Sequence, residues 1–454
     1  MQDRLDALSS YRDRRMPRIL LLGAMSGFPW VLIGSALTLW LKEDGLSRSA
    51  VGFAGLIFSV YAVNFLWAPL IDRISIPRLG TLIGQRKAWI ICFQAVIFVA
   101  LLGWSLLRPA DDIWLIMAIG LAIATASASQ DITIDALRIE QIDANERDAM
   151  AAGAAVHVVG WWSGYKIGGI IALLAADMLQ QAGYDNYWQL SFLILGGLIV
   201  LANIGLLMIP EASAEARLQA QTKAQARITR HFAAGNLFGQ FIGFLGSTIW
   251  APLASFFRTN GIAIGGGILG FVLLFKIGEA FMGKMSLVFY AELGFSKSDI
   301  ALYSKGIGWV TTVAFTILGG FLAIKSGALR ALFVAGFAMA ATNILFSLLA
   351  WTGKSEWLFA CAVLLDDIAA AFATVAFVTF ISLLVDRTYT ATQYALLASI
   401  GTIGRTTLAA SSGAMVDWLK GDWGLFFILT ALMVLPSLLL LGLIRRHIHL
   451  DGES

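Results

Sequence analysis

The sequence predicts an all-α integral membrane protein, twelve transmembrane helices in two six-helix bundles. Three observations predict it. The chain is 58% hydrophobic and 13% charged, against about 25% charged in an ordinary soluble domain, and its mean hydropathy is +0.78. Twelve stretches supply the roughly 20 mostly apolar residues that a membrane-crossing helix needs. The 32 Lys and Arg residues are distributed unequally between the two sides of those stretches. Together these exclude a soluble enzyme, a disordered chain and a nucleic-acid-binding protein. The net charge of +3 implies no polybasic partner surface.

The spans run over 18–40, 50–71, 88–107, 113–137, 150–176 and 188–209, then 262–290, 300–323, 329–351, 356–385, 393–418 and 423–444. Trp30, Trp40, Trp89, Trp188, Trp351 and Trp357 lie near span ends, as an interfacial belt requires. Twenty cations fall in the tails and loops on one side, among them Arg12, Arg18, Arg78, Arg86, Lys87, Arg147, Arg387 and Arg446; only Lys42, Arg48, Arg108, Lys297, Lys354 and Lys420 fall on the other. The positive-inside rule then places both termini in the cytoplasm. Residues 1–17 are a polar, basic tail, and no A-x-A cleavage site follows the first apolar run, so the tail is expected to be retained. The expected organisation is an N-terminal bundle over 18–210, a cytoplasmic linker over 211–260, a C-terminal bundle over 261–444 and a cytoplasmic tail over 445–454. Within the linker, 235–257 is apolar but Gly-rich and broken by Pro252. A thirteenth span there would invert the second half against its charge bias, so an amphipathic or half-inserted helix at the inner face is expected. Cys92 and Cys361 lie in apolar runs and suggest neither disulfides nor a metal site.

The charges left inside spans carry the functional signal. A charge at the bilayer centre costs about 3 kcal/mol on insertion scales, so such residues face the bundle interior and find partners. In span four, Ser127, Asp131 and Asp135 recur at i, i+4 and share one helix face. Two carboxylates one turn apart repel, which suits a pair that carries a proton; the plainer reading pairs Asp135 with Arg138. Span seven holds Lys276 and Glu279, an i, i+3 pair that either fixes the helix or binds an anion with Glu279 tuning it. Lys166 and Arg405 sit in the fifth helix of their respective halves, where a cation facing a cavity suits a carboxylate-bearing substrate; Gly404 leaves room for the Arg405 guanidinium to reach a ligand. Asp366 and Asp367 point about 100° apart on a helix and so do not share one cavity. Gln393 and Tyr394 open span eleven, where capping and gate contacts are equally served. His157 is read as a packing histidine. No HExxH, GxSxG or GxxxxGK[ST] pattern occurs, so no enzyme, metal, cofactor or ATP-driven step is expected. The remaining energy source is an ion gradient. One proton crossing 100 mV releases about 2.3 kcal/mol, which supports roughly fifty-fold accumulation of a neutral solute. Twelve spans divided by a central polar loop read as a transporter that rocks about a midplane site.

After span two, Asp72-Arg73 followed by Gln85-Arg86-Lys87 resembles the major facilitator signature, here stretched by about ten residues; the resemblance implies interhelical charge pairing by Asp72, Arg73 and Arg86 at a cytoplasmic gate. Ser26-Gly-Phe-Pro29, Leu66-Trp-Ala-Pro-Leu-Ile-Asp-Arg73, Ser129-Gln-Asp-Ile-Thr-Ile-Asp-Ala-Leu-Arg138, Gly294-Phe-Ser-Lys297, Ala391-Thr-Gln-Tyr-Ala-Leu-Leu397 and Gly404-Arg405 follow in order over most of the chain. Together they resemble the AmpG family of muropeptide permeases. That resemblance implies a major facilitator fold and a proton symporter of the Gram-negative inner membrane. Its substrates would be N-acetylglucosamine–anhydro-N-acetylmuramic acid, with or without peptide, for peptidoglycan recycling and β-lactamase induction. It favours Gln130, Asp131, Asp135, Gln393, Tyr394 and Arg405, and Lys276-Ile-Gly-Glu279 fits the family's Lys-Leu-Gly-Asp type of segment. The family's Glu-Asn is replaced here by Asp366-Asp367. The expectation is proton coupling through Asp131, Asp135 and Glu279, with substrate held by Ser127, Gln130, Lys166, Lys276, Gln393, Tyr394 and Arg405. The expected partners are muropeptide, protons and membrane lipids, with no nucleic acid, and the chain is expected to act as a monomer. The rivals are a transporter of the same fold for another anion, such as an acetyl-CoA-like metabolite or siderophore, and a polytopic membrane enzyme or receptor.

Overall fold

The computed structural model describes residues 10–45, 55–143, 145–211, 251–295 and 308–446. All twelve expected spans are helical within those residues. Helix α1 combines Arg15–Gly27, a π-helical stretch Val31–Ala36 and Leu37–Glu43. Helix α2 is a succession of short turns, Gly55–Ser59, Val60–Val63, Asn64–Leu66 and Ala68–Arg73. Helices α3 (Gln85–Trp104), α4 (Pro109–Glu140), α5 (Arg147–Gln181) and α6 (Tyr187–Leu207) complete the first half. The second half has α7 in two pieces (Ile262–Leu274, Ile277–Glu292), then α8 (Gly308–Ser326), α9 (Ala328–Thr352) and α10 (Glu356–Leu384). It ends with α11, running from Thr390–Ile403 through a π-helical Gly404–Leu408 and a 3₁₀ turn to Ser412–Trp418, and α12 (Trp423–Leu432, Leu435–Ile444). Among the described residues no strand occurs. Among the described residues nine stretches are long and apolar enough to cross a bilayer, and Ile57–Leu66 and Val310–Ser326 add two shorter apolar helices.

Local chemistry sets the ends. Pro109 starts α4, where its missing N–H costs nothing, and Asp111 and Asp112 follow in the positive first turn. Asp422 caps α12 by accepting from Leu425 N at 2.9 Å. Glu211 caps α3 from a distance in sequence, accepting from Arg86 N at 2.7 Å and Lys87 N at 3.0 Å. Gly84 permits that approach: its φ is +106°, and a Cβ there would lie 2.3 Å from the Glu211 carboxylate.

Without a hydrophobic force between helices in lipid, close packing must come from small residues. Gly23 and Gly27 on α1 meet Gly160 and Gly164 on α5. A Cβ on Gly27 would stand 2.0 Å from Trp161 O, and one on Gly164 2.1 Å from Ala24 O. The backbones of α1 and α5 therefore touch, which fixes Ser26 and Trp30 relative to α5.

The apolar core divides by depth. One cluster joins Met16, Ile19, Ile139 and Ala149 of the first half to Phe271, Phe380, Leu384 and Leu397 of the second. A second holds only first-half residues, such as Trp40, Trp104 and Phe192; a third holds only second-half residues, such as Phe289, Phe359 and Phe427. The shared cluster lies toward the face that carries Arg15, Arg86, Arg138 and Arg387, here called the basic face. Among the described residues the halves thus join at the basic face and pack separately toward the opposite one. The helix Ala251–Asn260 lies on the basic face: Ser255 Oγ donates to Asp386 at 2.6 Å, and Phe256 is buried in the shared cluster. The rest of the expected half-inserted segment, and most of the linker, lie outside the described residues.

Candidate functional site

The site is built where α1, α2, α4 and α11 meet. A cavity of about 210 Å³ lies between the halves, lined by Trp30, Tyr61, Asn64, Asp131, Ile132 and Asp135 on one side and Tyr394, Ala395, Ala398, Ser399, Thr402 and Arg405 on the other. Helical spacing puts Asp131 and Asp135 on the cavity face of α4. The π-helical turns of α1 and α11 lie beside it, and such turns often accompany functional sites. The broken α2 contributes side chains that one straight helix would not aim together: Tyr61 donates to Ser127 Oγ at 2.7 Å, and Trp67 Nε1 donates to Ser129 Oγ at 2.8 Å. Asn64 Oδ1 accepts from Ser399 Oγ at 2.8 Å, a bond between the halves.

The two carboxylates have different surroundings. Asp131 accepts from Ser26 Oγ at 2.8 Å, and among the described residues no cation pairs with it. Asp135 pairs with Arg138 at 3.1 Å, and His157 Nδ1 lies 3.9 Å from it. Arg138 is fully buried, donates to Ser382 Oγ on α10 at 2.9 Å, and stacks over the Tyr394 ring at 5.8 Å. Asp135 is therefore tied, through one guanidinium, to the contact between the halves. On the far wall Arg405 faces the cavity and donates to Thr402 Oγ1 at 3.3 Å.

Beneath the cavity the basic face is sealed. Asp72 and Arg86 are both fully buried. Arg86 Nη2 donates to Asp72 Oδ1 at 2.7 Å and to Glu140 at 2.9 Å. Asp72 also accepts from Thr392 N at 2.8 Å and Thr392 Oγ1 at 2.6 Å, so it caps the first turn of α11 across the interface, where a carboxylate meets the positive helix end. Arg387 donates to Ile139 O, and Tyr11 OH donates to Ile317 O at 2.9 Å, adding two further ties.

Of the residues singled out from the sequence, the structure brings Asp131, Asp135, Tyr394 and Arg405 to one cavity and Asp72 and Arg86 to one gate. It places others elsewhere. Gln130 is fully buried and its amide donates to Met25 O at 2.7 Å, so it holds α4 to α1 rather than facing a ligand. Gln393 accepts from Asp386 N at 2.7 Å and donates to Pro252 O at 3.0 Å, which makes it a brace for the α10–α11 turn. Ser127 stands behind Tyr61. Lys276 is buried against Glu279 at 2.9 Å and Thr374 Oγ1 at 2.8 Å, so both charges are spent inside the second half. Lys166 lies over the Trp162 and Tyr165 rings at 5.8 and 5.9 Å. Asp366 accepts from Thr342 Oγ1 at 3.0 Å within its own half. Sequence reasoning centred on charge misses Trp30, Asn64, Ser399 and Thr402, which are neutral. The written signal for two of them is helical register: Thr402 and Ser399 lie about one and two turns before the span-eleven cation.

No family model matches the sequence. Relatives are nevertheless found along its whole length. The chain is 28% identical over 440 residues to the anhydromuropeptide permease of Escherichia coli strain K12, covering 97% of this chain and 81% of that protein. It is 29% identical over 439 residues to a Rickettsia felis protein that bears the transporter name AmpG 4, covering 97% and 98%. Among solved structures, the major facilitator proton:xylose symporter XylE aligns with a TM-score of 0.64 at 16% identity, over 95% of each chain. A bacterial homologue of the iron transporter ferroportin in an outward-facing state aligns at 0.62 and 14%, over 96% and 100%. At those identities the likeness is one of fold, and the fold is that of the major facilitator superfamily. The resemblance to AmpG read from the motifs thus extends over nearly the full chain, and the relatives and structures named here bear the names of a permease and of transporters rather than of enzymes.

Proposed function

We propose that this chain, a transporter of the major facilitator fold similar along its length to AmpG-named proteins, imports anhydro-muropeptides across the inner membrane by proton symport. The observation that carries the reading is the cavity between the halves. It pairs a carboxylate without a cation partner, Asp131, with a cation on the opposite half, Arg405, above a sealed basic face. With the basic face in the cytoplasm, substrate arrives from the periplasm. Asp131 takes a proton there, which removes an unpaired charge from the cavity wall and lets an anionic solute approach Arg405. Loading then loosens the ties through Arg138 and Asp72, the halves part at the basic face, and substrate and proton leave together. At about 210 Å³ the closed cavity is below the roughly 300–1,000 Å³ of ligand pockets, so a disaccharide enters only as the halves open on the opposite side.

The reading is tested by competition in membrane vesicles. Uptake of labelled N-acetylglucosamine–anhydro-N-acetylmuramic acid is expected to be blocked by unlabelled muropeptide and untouched by a coenzyme A thioester or a ferric siderophore. Blockade by either of the latter alone would assign the cavity to another anion.

A further inference from the structure

The two walls of the cavity differ in kind. The second-half wall is small and polar, Ala395, Ala398, Ser399 and Thr402, ending in Arg405. The first-half wall is aromatic. Trp30 is its hub, with ring centroids 4.8 Å from Phe58, 4.8 Å from Tyr61 and 5.5 Å from Trp161. Trp161 extends the series to Tyr165 at 5.7 Å. These rings are only partly buried, unlike the packed trio Trp40, Trp104 and Phe192 of the first-half core. The Trp30 Nε1–H is buried beside the Asp131 carboxylate, with which it interacts, yet among the described residues it completes no well-formed hydrogen bond, and its ring lines the cavity. A buried indole N–H ordinarily finds an acceptor.

We propose that Trp30 is the saccharide-specifying residue: its ring, with Tyr61, stacks against the apolar C–H face of an N-acetylated pyranose, and its Nε1–H donates to an oxygen of that sugar. The proposal rests on the muropeptide reading and deepens it by assigning an orientation. The glycan lies on the first half, and the carboxylate of the lactyl or peptide arm reaches Arg405 on the second. A donor inside the site whose contact with Asp131 is incomplete also gives selectivity, because a solute lacking the acceptor leaves it poorly satisfied.

The test is equilibrium binding to the purified full-length protein, with two probes: N-acetylglucosamine–anhydro-N-acetylmuramic acid, and the free stem tripeptide that lacks sugar. Trp30→Phe keeps a ring and removes the donor; Trp40→Phe, in the buried core, controls for loss of any tryptophan, and helical content checks folding. The expected result is disaccharide binding weakened about tenfold by Trp30→Phe, a loss of roughly one buried hydrogen bond, and left within twofold by Trp40→Phe. Weak tripeptide binding is expected to be unchanged by either variant. Unchanged disaccharide affinity in a folded Trp30→Phe protein, or an equal loss for both probes, overturns the role of Trp30 while leaving the muropeptide reading in place. Failure of the wild-type protein to bind the disaccharide at all overturns both.

Discussion

At the scale of single residues, the charges divide into those that are spent and those that are available. Asp135 is held by Arg138 and Glu279 by Lys276; of the two carboxylates that line the cavity, Asp131 is the one that can change its proton without breaking an ion pair among the described residues, while Asp366, bonded to Thr342, lies away from it. Asp131→Asn is therefore expected to abolish proton-driven accumulation while preserving folding; accumulation at the wild-type level would remove Asp131 from the mechanism. Among the described residues Arg405 makes one long bond, to Thr402, so its fork is not clamped by them. Arg405→Ala is expected to weaken substrate binding tenfold or more, the worth of a charged hydrogen bond at about 1.5–3 kcal/mol, whereas Arg405→Lys retains most of it; equal loss in both would show that forked geometry matters instead. Outside the membrane spans, Arg15 holds the Asp13 and Glu146 carboxyls below their usual range. Folding contributions of that sign are present above the unfolded carboxylate range and lost as pH falls through it, below about pH 4. Protease sensitivity of the N-terminal tail should rise there and stay flat from pH 5 to 8. The i, i+4 face of α4 was legible because charge in an apolar run is conspicuous. Trp30 and Ser399 were not, because neutral residues raise no anomaly until tertiary structure brings them together.

At the scale of elements, the α1–α5 crossing is the least forgiving feature. Gly27→Leu or Gly164→Leu forces a side chain onto a backbone carbonyl, a worse case than the overpacking that costs about 1–3 kcal/mol in a core. Either variant is expected to lose monodisperse folded protein in a detergent thermal scan; a melting temperature like the wild type's would show that the helices can separate. The Gly23–Gly27 and Gly160–Gly164 spacings stand in the sequence as a small-xxx-small pattern, so this contact has a written signal. The breakup of α2 has none: its apolar run reads as one helix, and only contacts such as Asn64 with Ser399 select the broken form. The Asp72 cap on α11 was half legible. The pairing of Asp72 with Arg86 followed from the charge motif, but its partner across the interface, Thr392, is a neutral residue some 320 positions away. Removing one member of a buried pair costs about 3–5 kcal/mol, so Asp72→Asn should release the basic face. Spin labels at the exposed positions Arg78 and Arg258 are expected to show a longer-distance population in that variant; an unchanged distribution would mean that the gate is held elsewhere.

At the scale of the whole molecule, twelve apolar spans and the bias of twenty cations over six foretold the all-α membrane fold, because the bilayer imposes length and charge rules directly on sequence. Which face is closed was not legible, since both conformations of a rocking transporter satisfy the same hydropathy. The structure answers it through packing: among the described residues the halves share a large cluster at the basic face and a small one of Ala68, Ile132, Ala136, Ala391 and Ala395 beside it, and keep separate cores toward the other face. That asymmetry, with Asp131 and Arg405 facing each other above the seal, is the observation on which the proposal of periplasm-to-cytoplasm import rests. The most direct measurement is uptake of labelled N-acetylglucosamine–anhydro-N-acetylmuramic acid into proteoliposomes holding the purified chain, with an imposed inward proton gradient. The account predicts accumulation above the external concentration that collapses to equilibration on adding an uncoupler. Accumulation indifferent to the uncoupler, or no uptake by folded protein, would contradict it.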